Sequence, residues 1–206
     1  MTVDHLVYAT PDLATGVTRV ARLLGVEPRA GGQHPGRGTR NALVALGPRS
    51  YLEIVGPDPD QPAPDRPRWF GIDSLAEPRL VAWAAGAADI EASMEHARQA
   101  GIGLGPLRKG RRTRTDGVEL FWRFTDPASV VCDGVVPFLI DWGTSPHPAA
   151  TAPDGGALVS LRAEHPDPSS VERCLNVLEL ELKVTRGRAP TLIATIRTRH
   201  GDVELR

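Results

Sequence analysis

Asp12, Asp89 and Asp167 stand 77 and 78 residues apart, and each sits between an alternating, strand-like run and an apolar helical face. That regularity constrains the fold more than any other feature of the chain. In the first unit VDHLVY (residues 3–8) alternates like a strand and stops at Ala9-Thr10-Pro11, where Thr10 suits an N-cap and Pro11 a first helical turn. Leu13, Val17, Val20 and Leu24 then mark one helical face, and Gly25 occupies the place of a left-handed helix stop. Short strands are predicted near 27–31, 41–46 and 50–55, giving the order β-α-β-β-β. The second unit opens with LVAWAA (80–85). It continues in a helix capped near Asp89, with Ile90, Met94 and Ala97 on its apolar side, and stops at Gly101. Strands follow near 103–109, 118–125 and 135–142, with Asp116-Gly117 as a hairpin signal. The third begins with ALVSLRAE (157–164), and its helix opens at Asp167-Pro168 with Val171, Leu175 and Leu178 turned inward. Strands near 181–186, 190–197 and 202–206 close it.

Each β-α-β-β-β unit makes a small curved sheet with one helix on its back, and alone it leaves a concave apolar face exposed. The expected fold is therefore α+β: repeated modules pair into a curved-sheet open barrel around a central cavity, with an additional third half-module. Residues 1–144 are read as one domain of two modules, about 3–56 and 80–142, joined by the proline-rich connector 57–79. Residues 157–206 form the third module packed on it, after the linker SPHPAATAPDGG (145–156). A solenoid is the rival for equal repeats, but three unequal units with long proline connectors argue against it. An odd unit must cover its face on its own chain or in a homodimer.

Composition narrows the function. A hydrophobic fraction of 41% and a net charge of −1 are ordinary for a soluble protein and predict no polyanionic partner such as nucleic acid. No apolar run approaches the roughly 20 residues needed to span a bilayer. MTVDHLVYAT lacks the basic and apolar regions of a secretion signal. Cys132 and Cys174 form no CxxC pair and read as small buried apolar groups in a reducing, cytoplasmic setting.

VDHLVYATPDL, GGQHPGRGTRN, YLEIVGP and VPFLIDW together resemble the glyoxalase-like domain family of the vicinal oxygen chelate superfamily. The resemblance covers most of the first two units and, more weakly, the third. It implies a family rather than a reaction, because the superfamily holds isomerases, dioxygenases, thiol transferases and metal-free binding proteins. Members that use a divalent metal take one ligand near the first strand of each unit and one on its last. His5 and Glu53 match those positions in unit one. Alternation agrees, since Val3, His5 and Val7 share one strand face and Tyr51, Glu53 and Val55 another. A His nitrogen beside a carboxylate suits Fe, Mn, Ni, Co or Zn. A hydrogen-bonded pair without metal is the plainer reading of the same two residues.

Unit two departs from the pattern. Aligning Asp89 with Asp12 sets Ala82 opposite His5, and aligning Gly143 with Gly56 sets Ile140 opposite Glu53. A one-residue offset would instead turn Trp83 and Asp141 inward, making Asp141 a candidate third ligand or base. A two-histidine, one-carboxylate set would need another histidine, for which His34 is best placed. The glycine-dense GGQHPGRGTRN fits neither dinucleotide nor phosphate-loop spacing. It reads either as a solvated turn or as a flap, with His34, Arg37 and Arg40 holding an anion and Asn41 orienting it. Trp83, Trp122 and Trp142 are candidates for an aromatic ligand wall, or for plain core. The basic run RKGRRTR (108–114) reads as a solvated strand edge. His96, His147, His165 and His200 read as structural or surface.

Two function classes remain from sequence. One is an enzyme acting on a small oxygen-rich, anionic metabolite as lyase, isomerase or dioxygenase, with His5 and Glu53 as metal ligands or acid–base groups. The other is a metal-free small-molecule binding protein without turnover. Glyoxalase I activity itself is not expected, since only half of that ligand set is matched.

Overall fold

The computed structural model describes residues 2–113 and 117–206, without the side chain of residue 113. Arg114 and Asp116, part of the basic run and of the expected hairpin turn, lie outside the described residues. The three aspartates do what their spacing suggested. Asp12, Asp89 and Asp167 each accept a hydrogen bond from the backbone N–H three residues on, at Thr15, Ala92 and Ser170. Each thereby caps one helix: α1 (Leu13–Leu24), α2 (Ile90–Gln99) and α3 (Pro168–Val177). Such a cap stabilises by about 1 kcal/mol. Thr10 is not the cap. Its hydroxyl instead donates to Asp12 O and braces the turn that presents Asp12. Gly25 ends α1 at φ 70°, a conformation that costs glycine nothing.

Module one supplies β1 (Thr2–Ala9), β2 (Arg29–His34), β3 (Thr39–Ala45) and β4 (Tyr51–Pro57). Module two supplies β5 (Arg79–Gly86), β6 (Leu107–Thr113), β7 (Glu119–Thr125) and β8 (Phe138–Asp141). The eight make one curved sheet in the order β2-β3-β4-β1-β5-β8-β7-β6. In both modules the first strand pairs in parallel with the last, β1 with β4 and β5 with β8, and β1 joins β5 antiparallel at the centre. The curl brings the two edge strands together: a side chain at Gly32 on β2 would run into Arg112 of β6. Strand β6 starts later than the expected 103–109, because Gly105 turns at φ 75° and Pro106 follows it.

Period two sorts the side chains. Leu6, Tyr8, Val44, Leu52, Ile54 and Trp83 face the convex side and join one continuous core with the helices and the third unit. His5, Val7, Glu53, Val55, Ala82, Ala84 and Ile140 belong to the concave side. Burying each large apolar side chain contributes about 1.5–3 kcal/mol, so the convex core dominates stability and leaves the concave side for other uses.

The third unit has β9 (Ala157–His165), β10 (Lys183–Arg186), β11 (Thr191–Thr198) and β12 (Gly201–Leu205) around α3. Its elements follow the same order but are wired differently. β9 pairs in parallel with β10 and antiparallel with β11, in the sheet order β10-β9-β11-β12. Val171, Leu175, Leu192, Ala194 and Ile196 pack into the same core as Leu6 and Trp83. Backbone bonds from Leu158 N to Leu46 O (3.0 Å) and from Leu80 N to Arg206 O (2.8 Å) pin it to both modules. It thus covers its apolar face on its own chain. No helix among the described residues is long and apolar enough to cross a membrane.

Candidate functional site

The concave side encloses a cavity of about 400 Å³, a size suited to a small organic ligand. Module one gives it a polar wall. Glu53 on β4 is 8% exposed, and its Oε1 accepts from Asn41 Nδ2 on β3 at 2.6 Å. Asn41 is fixed in turn, since its Oδ1 accepts from Gly32 N at 2.9 Å and its second N–H points to His34 Nε2 at 3.2 Å. His34 Nδ1 meets Thr39 Oγ1 at 2.9 Å, and burial pushes the His34 imidazole below its usual range. The other Glu53 oxygen, Oε2, stands 3.8 Å from His5 Nε2. His5 lies flat on Tyr51, ring centroids 4.6 Å apart.

Behind His5 is a carboxylate that alternation does not place there. Asp4 Oδ1 is 2.8 Å from His5 Nδ1, although neighbours on a regular strand point to opposite faces. The β1–β5 register slips between Val3 and His5, and such a bulge turns Asp4 to the side of its neighbour. Asp4 also accepts from Trp142 Nε1 (3.1 Å) and His147 Nε2 (3.1 Å). Burial alone would raise its pKa, but hydrogen bonds from His147 and His5 hold it well below the usual carboxylate range.

Module two gives the cavity an apolar, aromatic wall of Trp122, Phe124, Phe138, Ile140 and Trp142, with the two indoles 5.3 Å apart. The connector between the modules adds Trp69 and Phe70 on a 3-10 turn, Trp69–Ser74. Cations also line the cavity: Arg37 lies 4.0 Å over the Trp69 ring, and β6 contributes Arg108, which pairs with Asp126 at 3.0 Å, with Lys109, Arg111 and Arg112.

His5, His34, Arg37, Asn41, Glu53, Trp122 and Trp142 therefore meet at one cavity. Three other sequence candidates lie elsewhere. Arg40 alternates with Asn41 onto the other face of β3 and pairs with Asp60 (3.3 Å) and Asp58 (3.7 Å). Trp83 is 1% exposed in the convex core, where its Nε1 donates to Val135 O at 2.8 Å. Asp141 pairs with Arg123 at 2.6 Å. The one-residue offset that would turn the last two inward is not adopted, and Ala82 and Ile140 take the inward places. His147, read from sequence as structural or surface, is buried against Asp4. The basic run is not a simple solvated edge, since sheet closure brings it over the cavity.

The donors do not suit a metal. Asn41 already occupies Glu53 Oε1 and His34 Nε2, and module two offers only carbon where its ligands would stand. Among the described residues no cluster of three or more His, Cys, Asp or Glu is arranged to hold an ion. Protein purified without chelators is expected to carry no stoichiometric Fe, Mn, Ni, Co or Zn by mass spectrometry. One equivalent that disappears in Glu53→Ala would overturn this reading of the donors.

Gly31 gives a second check. A Cβ there would fall on Asn41 Oδ1, so Gly31→Ala must displace the amide that holds Glu53. Ligand affinity or turnover is expected to fall roughly 10-fold or more while the melting temperature shifts little, since a 1 Å misplacement can cost 10²-fold. An unchanged site in that variant, measured by titration calorimetry, would remove Asn41 from the machinery.

Residues 3–178 match the model of a family described as glyoxalase-like domain. No curated protein matches the chain significantly. Among solved structures, a hypothetical protein from Staphylococcus aureus shares the fold with a TM-score of 0.67 at 11% identity, over 98% of this chain and 97% of that one. A methylmalonyl-CoA epimerase from Streptomyces coelicolor, in complex with 2-nitronate-propionyl-CoA, has a TM-score of 0.46 at 23% identity, over 72% of this chain and 99% of that one. The methylmalonyl-CoA epimerase from Mycobacterium tuberculosis has a TM-score of 0.45 at 22% identity, over 72% and 91%. Likeness at the level of the two epimerases carries no argument about activity. The repeated modules, the eight-stranded curved sheet around a cavity and the match over most of its length make this chain a member of the glyoxalase-like domain family of the vicinal oxygen chelate superfamily.

Proposed function

We propose that the protein moves a proton on a small, oxygen-rich, anionic ligand with an apolar or ring-bearing body, and that it does so without a metal. One observation carries this reading. Glu53 is held by Asn41 through one oxygen and presents the other to His5 Nε2, inside an aromatic-walled cavity that cations also line. The ligand's carboxylate is met by Arg37 and the β6 cations, and its apolar part by Trp122, Phe138 and Trp142. Glu53 Oε2 then takes a proton from the carbon beside a carbonyl, leaving the electron pair in an enolate. His5 Nε2, 3.8 Å from Glu53 Oε2 without ligand, accepts the proton from Glu53 when the pair closes to hydrogen-bond distance around the ligand, and the imidazolium that forms faces Asp4. Return of that proton to another atom of the enolate completes an isomerisation; its delivery to a departing group completes an elimination.

A second reading, binding without turnover, is favoured by the wholly apolar face of Phe124, Phe138 and Ile140. Incubation in D2O with 2-oxo and 2-hydroxy carboxylates bearing alkyl or aryl side chains separates the two. The proton-transfer reading expects mass gain by exchange faster than in buffer. Probes that raise the melting temperature yet never exchange would favour sequestration.

A further inference from the structure

Asp4 is an unusual residue to bury for packing alone. It sits 5% exposed on a bulge, and a buried carboxylate is costly unless it is fully hydrogen-bonded. Three N–H groups, one from the next residue and two from the segment 142–147, meet that cost: His5 Nδ1 at 2.8 Å, Trp142 Nε1 at 3.1 Å and His147 Nε2 at 3.1 Å. His147 is oriented by its own segment, since its Nδ1 accepts from Ala149 N at 3.3 Å. That bond makes Nδ1 the acceptor and Nε2 the donor, so the histidine hands Asp4 an N–H. With its oxygens engaged in this way, Asp4 can only accept from His5, which puts the His5 proton on Nδ1 and the lone pair on Nε2, facing Glu53.

We infer that Asp4 and His147 are positioning residues that set the tautomer of His5 for the proton transfer proposed above, on which this inference rests. Neither touches the ligand. The groups facing His5 are Asp4 on its own strand, Tyr51 and Glu53 from β4, and Phe138 from β8. Of these only Asp4 lies within hydrogen-bond reach of a ring nitrogen, so it alone chooses between the two tautomers. Trp142 joins the chain from the other end: its ring lines the cavity while its N–H holds Asp4. The linker 145–156, read from sequence as a mere connection, thereby contributes a working residue.

The test uses the full-length protein with ¹⁵N-labelled histidine. In the wild type His5 is expected as the Nδ1–H tautomer alone, with a slowly exchanging Nδ1 proton. In Asp4→Asn the amide can donate as well as accept, so the Nε2–H form gains population, and probe exchange in D2O falls roughly 10-fold or more, as expected for a wrong tautomer. His147→Leu leaves Asp4 short of a donor and is expected to speed exchange of the His5 Nδ1 proton. His147→Gln, which keeps an N–H, restores the wild-type value. Wild-type His5 in the Nε2–H form, or identical behaviour of the Leu and Gln variants, overturns the inference. Should Asp4→Asn not fold, the wild-type tautomer and the His147 pair still decide. The tautomer needs no substrate. A correct tautomer without exchange of any probe would therefore sink the proton-transfer reading and leave the role of Asp4 and His147 on His5 standing.

Discussion

Glu53→Gln is expected to cut probe exchange by roughly 10³-fold, the usual scale for removing a general base, while the protein stays folded. The reason lies in how Glu53 is held. Asn41 Nδ2 donates to Oε1 at 2.6 Å, and a glutamine oxygen can accept that bond unchanged. Only the basic oxygen opposite His5 is lost. A merely structural Glu53 would show the reverse, with exchange retained and the melting temperature shifted. Measuring exchange by mass spectrometry beside thermal unfolding on the same sample separates the two. His5→Gln is the companion variant, since it retains a donor to Asp4 but has no ring nitrogen to receive the proton.

The second large effect concerns stability. Asp4→Ala removes the acceptor of three buried donors at once, and since each donor left unsatisfied costs about 1–3 kcal/mol, a loss of about 3–5 kcal/mol is expected. For a chain of this length that lowers the melting temperature by roughly 10 °C. Asp4→Asn keeps an acceptor and should lose less than half as much. The pH dependence has a definite sign. The folded-state pKa of Asp4 lies below the ordinary 3.8, so its stabilisation is complete above that value and is lost as pH falls through the lower one. Urea unfolding at pH 7 and pH 5 should therefore give the same difference between wild type and Asp4→Ala. A loss under 1 kcal/mol would mean that the three donors find other partners.

What could be read from sequence was what local chemistry decides. Cap residues act within one turn, so the three aspartates mark the three helices, although sequence offers Thr10 rather than Asp12 as the cap of α1. Strand period is equally local, which is why His5 and Glu53 were expected on inward faces. The rest depended on partners. Asp4 turns inward because of a bulge set by pairing with β5, and nothing in VDHLVY announces it. Trp69 and His147 reach the cavity and its supporting bonds on proline-rich connectors, where sequence shows no helix or strand period. The run from Arg108 to Arg112 resembles a solvated edge until the sheet curls β6 against β2. Arg40 followed its strand outward to Asp58 and Asp60, and one-residue alternation decided against Trp83 and Asp141. The third unit repeated the order of elements but not their pairing, which lies beyond what a linear pattern encodes.

The most direct measurement is deuterium exchange into the carboxylate probes by wild-type protein that has been treated with EDTA and shown metal-free by mass spectrometry. Exchange that persists undiminished, and that disappears in Glu53→Gln, is the expected result. Exchange that stops on chelation and returns with an added divalent ion would contradict metal-free proton transfer at Glu53 and His5.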